Sequence, residues 1–210
     1  MYLSHFQTAG WIFTILLLQA CEVSANINIM NWCTYDIYAY QVVGGDCNRG
    51  ADYQCYAFPG HVDPYVIKSG SNMIFSLLYQ PGAKIYLLKG NEDLEHGKFQ
   101  FEYTITPTQF FYDLSNVDGA GPGQPGNYFD EENVTITPTG DLGKNFNCNQ
   151  VNCPPASSTT QCMNAYWHPN DDAAAMRTCP PDTGDFLLDI CGNVRPFPVA
   201  ARRTRDRFRW

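Results

Sequence analysis

The sequence predicts an all-β domain with an irregular, disulfide-held subregion. Three observations lead there: short runs of β-branched and aromatic residues recur between turn signals, helical periodicity is absent after residue 25, and cysteines cluster in the second half. At 210 residues, with 44% hydrophobic and 14% aromatic residues, the chain is long and apolar enough for one domain with a real core.

Taken in order, residues 11–19, WIFTILLLQ, form an apolar run shorter than the ~20 residues of a membrane-spanning helix. Val23, Ser24 and Ala25 close it in an A-x-A-like site, so residues 1–25 are expected to be a secretory signal peptide, with Asn26 as the mature N-terminus. Cleavage after Ala20 is the alternative. No membrane span is expected.

Strands are expected over 27–30, 35–43, 73–79, 84–88, 98–105, 110–114, 134–137 and 186–190. In 98–105, Phe99, Phe101 and Tyr103 fall on one face, while Gln100, Glu102 and Thr104 fall on the other. The first face belongs to a core, which turns Glu102 outward or into a cleft. Residues 119–127, GAGPGQPGN, carry four Gly and two Pro and read as a loop. Residues 148–182 hold four cysteines and several prolines with few apolar runs, the expected irregular subregion. The domain is expected over 26–194, followed by a basic tail, 195–210, which carries six of the chain's thirteen cationic residues. That tail is expected to be disordered; Arg202-Arg203 also fits a dibasic processing site.

Removal of residues 1–25 takes away Cys21 and leaves Cys33, Cys47, Cys55, Cys148, Cys153, Cys162, Cys179 and Cys191, an even set in an oxidising compartment. Four disulfides are expected, and spacing does not choose among the 105 connectivities eight cysteines allow. Cys47/Cys55 and Cys148/Cys153 are close enough in sequence for local loops. No CxxC pair occurs, which argues against zinc. Asn133-Val134-Thr135 is the only N-x-[ST] sequon and makes Asn133 the expected glycosylation site.

Composition excludes several functions. Within residues 26–194, 7 Lys and Arg face 19 Asp and Glu, and a body that acidic repels nucleic acid and anionic lipid. GxxxxGK[ST] and GxSxG are absent, and GxGxxG occurs only as GPGQPG at 121–126, where two prolines mark a loop and no helix pattern follows, so P-loop ATPases, Rossmann dehydrogenases and nucleophile-elbow hydrolases are poor candidates. His61, His96 and His168 have no partner the sequence identifies. His168, Asp171 and Asp172 lie close together but lack a second ligand cluster, so no metal and no cofactor are expected. A copper monooxygenase needs an N-terminal histidine, where Asn26 is expected. Among thirty aromatic residues, Tyr35, Tyr38, Tyr40, Tyr53 and Tyr56 are dense enough to supply a sugar platform, though alternate ones belong to a core.

Two stretches carry a family resemblance. Residues 28–39, NIMNWCTYDIYA, resemble the first hairpin of thaumatin-like and osmotin-like proteins. Phe101-Glu102-Tyr103-Thr104, followed by FYDLSNVDG at 111–119, is similar to their AEF…YDxSxVDG segment. The cysteine gap between Cys55 and Cys148 departs from the plant proteins. It points instead to the fungal blastomyces yeast-phase-specific family, also called antigenic thaumatin-like proteins, whose end resembles the segment from Cys179-Pro180 to Cys191.

The resemblance implies a thaumatin-like β-sandwich and a bridge between Cys33 and Cys191. That bridge would close a loop of about 158 residues, for which loop entropy gives on the order of 5 kcal/mol. The resemblance also implies an acidic cleft of one Arg, one Glu and three Asp that binds β-glucan and in some members hydrolyses it weakly. Glu102 matches the Glu, Asp113 and Asp118 match two Asp, and Lys84 falls near the Arg position without its bidentate geometry. The third Asp is not placed; Asp171, Asp172 and Asp182 are the candidates.

Glycoside hydrolysis needs two carboxyls across the bond, one with a raised pKa, and Glu102 is the expected acid with Asp113 or Asp118 as its partner. The bland alternative puts Asp118-Gly119 in a turn and Asp113 against nearby amides. The expected function is that of a secreted, monomeric, cell-wall-associated or host-facing protein that binds β-glucan or a related polysaccharide. A weak β-1,3-glucanase and an effector or antigen that binds a host protein are the alternatives.

Overall fold

The computed structural model describes residues 25–43, 63–79, 82–90, 98–117, 129, 131–140, 146–155, 162, 164–168 and 170–192. Eleven strands and one helical turn form among them: β1 (Asn26–Asn31), β2 (Ile37–Val42), β3 (Tyr65–Ile67), β4 (Asn72–Ser76), β5 (Ala83–Lys89), β6 (Phe99–Ile105), β7 (Phe110–Ser115), β8 (Val134–Pro138), β9 (Val151–Cys153), α1 (Asp172–Ala175), β10 (Arg177–Cys179) and β11 (Phe186–Ile190). A five-stranded sheet runs β4-β1-β11-β8-β9 and a six-stranded sheet runs β10-β7-β6-β5-β2-β3. The all-β expectation is met. No helix among the described residues is long and apolar enough to cross a membrane.

Period-two alternation builds the sandwich. In β6, Phe99, Phe101 and Tyr103 are buried, and their cross-strand neighbours Leu87, Ile85 and Ala83 on β5 are buried with them. From β7, Phe110 and Tyr112 join the same face and meet Phe186 of β11 in the opposite sheet, at ring-centroid distances of 4.8 and 5.0 Å. This aromatic layer is the core that holds the two sheets together.

The first and last strands meet within the five-stranded sheet. β1 and β11 pair in parallel, Asn31 opposite Ile190, and the Cys33–Cys191 disulfide closes the pair just beyond. Buried Asn31 organises the turn there. Its Oδ1 accepts from Cys33 N at 2.9 Å, and its Nδ2 donates to Tyr35 O and Ile67 O, both at 2.8 Å. The amide replaces the missing sheet partners of three backbone groups.

The cysteines of the second half pair differently from the local expectation. Cys148 bonds Cys179, and Cys153 bonds Cys162. Each sulfur takes a partner further along the chain, at sequence separations of 31 and 9, so neither closes the short loop between them. The region expected to be irregular holds β9, α1 and β10, all short, and Arg177 binds it together. Its guanidinium donates to the α1 carbonyls of Ala174 (2.8 Å) and Ala175 (3.2 Å), and its Nε donates to Asn149 Oδ1 at 2.8 Å. Cys47, Cys55, residues 119–127, the tail and all but the last residue of the leader lie outside the described residues.

Candidate functional site

Alternation places the candidate residues on the outer face of the six-stranded sheet. Lys84 of β5 stands opposite Glu102 of β6, and Glu102 stands opposite Asp113 of β7, so the three form one row across three strands. Beside that row, the segment around Tyr166 lies against the end of β7: Tyr166 N donates to Leu114 O at 2.8 Å, and Asn116 N donates to Tyr166 O at 2.9 Å. The Tyr166 hydroxyl donates to Asp172 Oδ1 at 2.6 Å, which fixes Asp172 at the start of α1 over the sheet. The result is an open cleft of about 570 Å³, lined among others by Lys84, Gln100, Glu102, Asp113, Tyr166 and Asp172, with Phe111 and Met176 as apolar walls. Its size lies within the range of ligand sites.

The electrostatics separate the carboxyls. Lys84 Nζ pairs with Glu102 Oε1 at 3.0 Å and also reaches Gln100 Oε1 at 3.4 Å. Asp113 has no such neighbour. Its Oδ1 is buried and unpartnered among the described residues. Desolvation, with Glu102 and Asp172 adding like charge against the opposing pull of Lys84, pushes its carboxyl up to about 8. At neutral pH the cleft therefore presents a protonated acid, Asp113, directly across from the ion-paired carboxylate of Glu102. Burial and the Asp172 carboxylate push the Tyr166 phenol upward as well.

Of the sequence candidates, Lys84, Glu102 and Asp113 come together, and Asp118 lies outside the described residues. Among the three candidates for the third Asp, the cleft takes Asp172. Asp171 is used structurally: its Oδ2 accepts from Trp167 N (3.0 Å) and His168 N (2.8 Å), which holds its carboxyl below the ordinary range. Asp182 sits in the exposed turn between β10 and β11. Tyr166 was not singled out by sequence; the aromatic pair Tyr166-Trp167 before two acids was the available signal.

Other candidates serve elsewhere. Tyr38 and Tyr40 pack with Val42, Tyr86 and Leu88, and the Tyr35 hydroxyl donates to Glu132 at 2.7 Å; Tyr53 and Tyr56 lie outside the described residues. None of Tyr35, Tyr38 and Tyr40 lines the cleft. Asn133 Nδ2 donates to Gly192 O at 2.8 Å and to Thr135 Oγ1 at 3.2 Å. Among the described residues, no group of three or more His, Cys, Asp or Glu is placed to hold a metal ion.

No protein-family model matches the chain. The structure is similar to the protein elicitor MoHrip2 from Magnaporthe oryzae, with a TM-score of 0.53 and 16% identity over 80% of this chain and 99% of that one, a likeness of fold alone. A second solved structure, the thaumatin-like xylanase inhibitor TLXI, aligns over 79% of this chain and 99% of that one at 9% identity, and its TM-score of 0.45 carries no weight. In sequence, the chain is 38% identical over 192 residues to an antigenic thaumatin-like protein of Arthroderma benhamiae, covering 89% of this chain and 84% of the relative. With that identity over nearly its whole length, the chain belongs to the thaumatin-like family.

Proposed function

We propose that this is a secreted, monomeric protein of the cell wall or host-facing surface that binds β-glucan or a related polysaccharide in the cleft of Lys84, Glu102, Asp113 and Asp172. Asp118 is proposed to complete it. The observation that carries the reading is the pairing of unlike hydrogen-bonding states across β6 and β7. A neutral Asp113 donates, an ionised Glu102 accepts, and Lys84 supplies further donors. Vicinal sugar hydroxyls, each donor and acceptor at once, match such a row. Secretion is supported by the leader-like residues 1–25 and by disulfides, which persist in oxidising compartments.

The test is co-sedimentation of disulfide-intact protein with insoluble β-1,3-glucan, alongside a Glu102→Gln/Asp113→Asn/Asp172→Asn variant. Binding abolished by the triple change supports the cleft. Binding to no glucan overturns it and favours the effector or antigen reading, in which the ligand is a host protein; the word antigenic in the name of the Arthroderma benhamiae relative points the same way.

Weak β-1,3-glucanase activity is the second reading, favoured by the raised carboxyl of Asp113. Residues directly opposite on antiparallel strands bring their Cβ atoms to roughly 4.5–5.5 Å, so the two carboxyls fit the closer, retaining spacing. Asp113 is then the acid and Glu102 the nucleophile. Reducing ends that appear with wild type and vanish with Asp113→Asn support it, and glucan bound without turnover sinks it.

A further inference from the structure

The charges within the cleft do not balance. Lys84 is the one cation among its described lining residues, and Glu102 Oε1 at 3.0 Å and Gln100 Oε1 at 3.4 Å already occupy its Nζ. Asp113 brings no charge at neutral pH, because burial, then Glu102 and Asp172, keep it protonated up to about pH 8 against the pull of Lys84. Its Oδ1 is buried, away from a ligand. That leaves Asp172, which takes part in none of the ion pairs among the described residues. The cleft therefore holds an unmatched carboxylate, in a chain whose net charge is already −8.

Asp172 is exposed, and it is held in place. Tyr166 N donates to Leu114 O at 2.8 Å and Asn116 N donates to Tyr166 O at 2.9 Å, so Tyr166 is fixed to the end of β7 on both sides. Its phenol donates to Asp172 Oδ1 at 2.6 Å, which orients the carboxylate and leaves Oδ2 for a ligand. A group oriented in advance loses little conformational freedom when its partner arrives. Phe111 and Met176, the latter 37% exposed, stand nearby as apolar walls on which the C–H face of a sugar ring can pack.

We propose that the cleft selects a polysaccharide carrying free amino groups, with Asp172 as the residue that reads the ammonium and Tyr166 as the residue that positions it. This rests on the polysaccharide reading of the cleft and narrows it to hexosamines. A sugar hydroxyl bonds Asp172 but leaves its charge unmatched. An ammonium both bonds and neutralises it, and such charge-assisted hydrogen bonds are roughly twice as strong as neutral ones. An acetylated amine is bulkier and uncharged, so it loses that advantage. A metal ion fits less well, because it needs several oxygen ligands converging on one point, and no group of three or more His, Cys, Asp or Glu is so placed among the described residues. An ammonium has three donors and can divide them between one carboxylate and neighbouring neutral acceptors.

The experiment is calorimetry on disulfide-intact protein in mildly acidic, low-salt buffer, where the ligand amines are protonated. The ligands are β-1,4-linked hexamers of glucosamine, N-acetylglucosamine and glucose, which differ only in the group at carbon 2, together with a β-1,3-linked glucose hexamer and oligolysine. Wild type is compared with Asp172→Asn, an isosteric change at an exposed position, and with Tyr166→Phe, which keeps the ring and frees the carboxylate. The glucosamine hexamer is expected to bind wild type about tenfold more tightly than the glucose hexamer of the same linkage. That preference is expected to collapse in Asp172→Asn, to fall about threefold in Tyr166→Phe, and to shrink in wild type as salt is added. Equal affinity for the amino and hydroxyl hexamers overturns the inference and leaves the polysaccharide reading standing, whereas binding to none of the four hexamers overturns both. A preference that survives Asp172→Asn overturns the assignment of that residue, and one unchanged in Tyr166→Phe overturns the positioning role. Oligolysine bound as tightly as the glucosamine hexamer also overturns the inference, in favour of a basic peptide.

Discussion

Glu102 and Asp113 stand directly opposite each other on adjacent antiparallel strands, two acids where a sheet ordinarily places unlike charges. The sheet tolerates the pair because Asp113 keeps its proton up to about pH 8 and Glu102 pairs with Lys84.

That arrangement makes stability depend on pH in a defined direction. The folded-state pKa of Asp113 lies above the unfolded value of about 3.9, so the native state binds more protons and the stability contribution falls as pH rises from about 4 to about 8. Asp113→Asn removes this loss. It is expected to leave stability near wild type at pH 4 and to raise it at pH 8, with an upper bound on the order of 5 kcal/mol and less where the structure relaxes around the charge. Urea midpoints of both proteins across that range check it; a difference that shrinks with pH would refute the assignment.

The three described disulfides should rank by loop length. Cys33–Cys191 spans 158 residues, Cys148–Cys179 spans 31 and Cys153–Cys162 spans 9. Loop entropy then gives about 5, about 4 and about 2.5 kcal/mol for their removal as Ser pairs. The first bridge also ties β1 to β11 at the centre of a sheet, so its loss is expected to lower the melting temperature most. Equal losses in all three pairs would show that native-state strain or residual structure dominates.

How much of this was readable in the sequence depended on the length of each alternating run. β6 showed Phe99, Phe101 and Tyr103 on one side over seven residues, and the structure buries all three. β3, β9 and β10 have three residues each, too few to display a period, and their pairing is set by neighbours distant in sequence. Lys84, Glu102 and Asp113 were identified by resemblance, and strand register then explains their meeting. Asp172 was one of three equal candidates. Only the tertiary contacts of Tyr166 and Arg177 bring it over the sheet, and nothing in its local sequence encodes them.

The sequon is woven into the fold. Asn133 Nδ2 has two hydrogens and gives them to Gly192 O and Thr135 Oγ1, while Thr135 Oγ1 donates onward to Asn152. A glycan on Nδ2 replaces one of those hydrogens. Asn133→Asp, made without glycosylation, is therefore expected to cost roughly 1–2 kcal/mol, the loss of hydrogen bonds at a partly buried site. Glycosylated protein, if recovered, is expected to be less protected in hydrogen exchange at the Gly192 end than unmodified protein. Identical stability of Asn133→Asp and wild type would count against a structural role.

Gly140 makes a sharper demand. A Cβ there would fall 1.7 Å from the carbonyl oxygen of Thr183, backbone that has no rotamer with which to yield. Next to it, Thr139 N donates to Asp185 O at 2.8 Å, so the end of β8 and the chain entering β11 are held too closely for a side chain. Gly140→Ala is expected to destabilise by more than ~3 kcal/mol, beyond the usual range for a point change, visible as a lower melting temperature or loss of soluble protein. A variant within ~1 kcal/mol of wild type would mean this junction is free to open.

Lys84 controls the proton on Asp113 from two strands away. It is the one cation among the described residues lining the cleft, and its charge opposes the upward push on Asp113 from burial, Glu102 and Asp172. Lys84→Met removes that opposition and leaves Glu102 unpaired, so the Asp113 carboxyl is expected to titrate above 8, whereas Lys84→Arg keeps the charge and holds it near 8. Carboxyl carbon chemical shifts followed against pH read this directly. A matched shift follows in function. If the protonated form of Asp113 is what the ligand or the glycosidic oxygen meets, the upper pH limit of glucan binding or turnover moves upward in Lys84→Met and stays in place in Lys84→Arg. A limit that moves downward, or moves equally in both variants, would show that Asp113 is not the group the cleft uses.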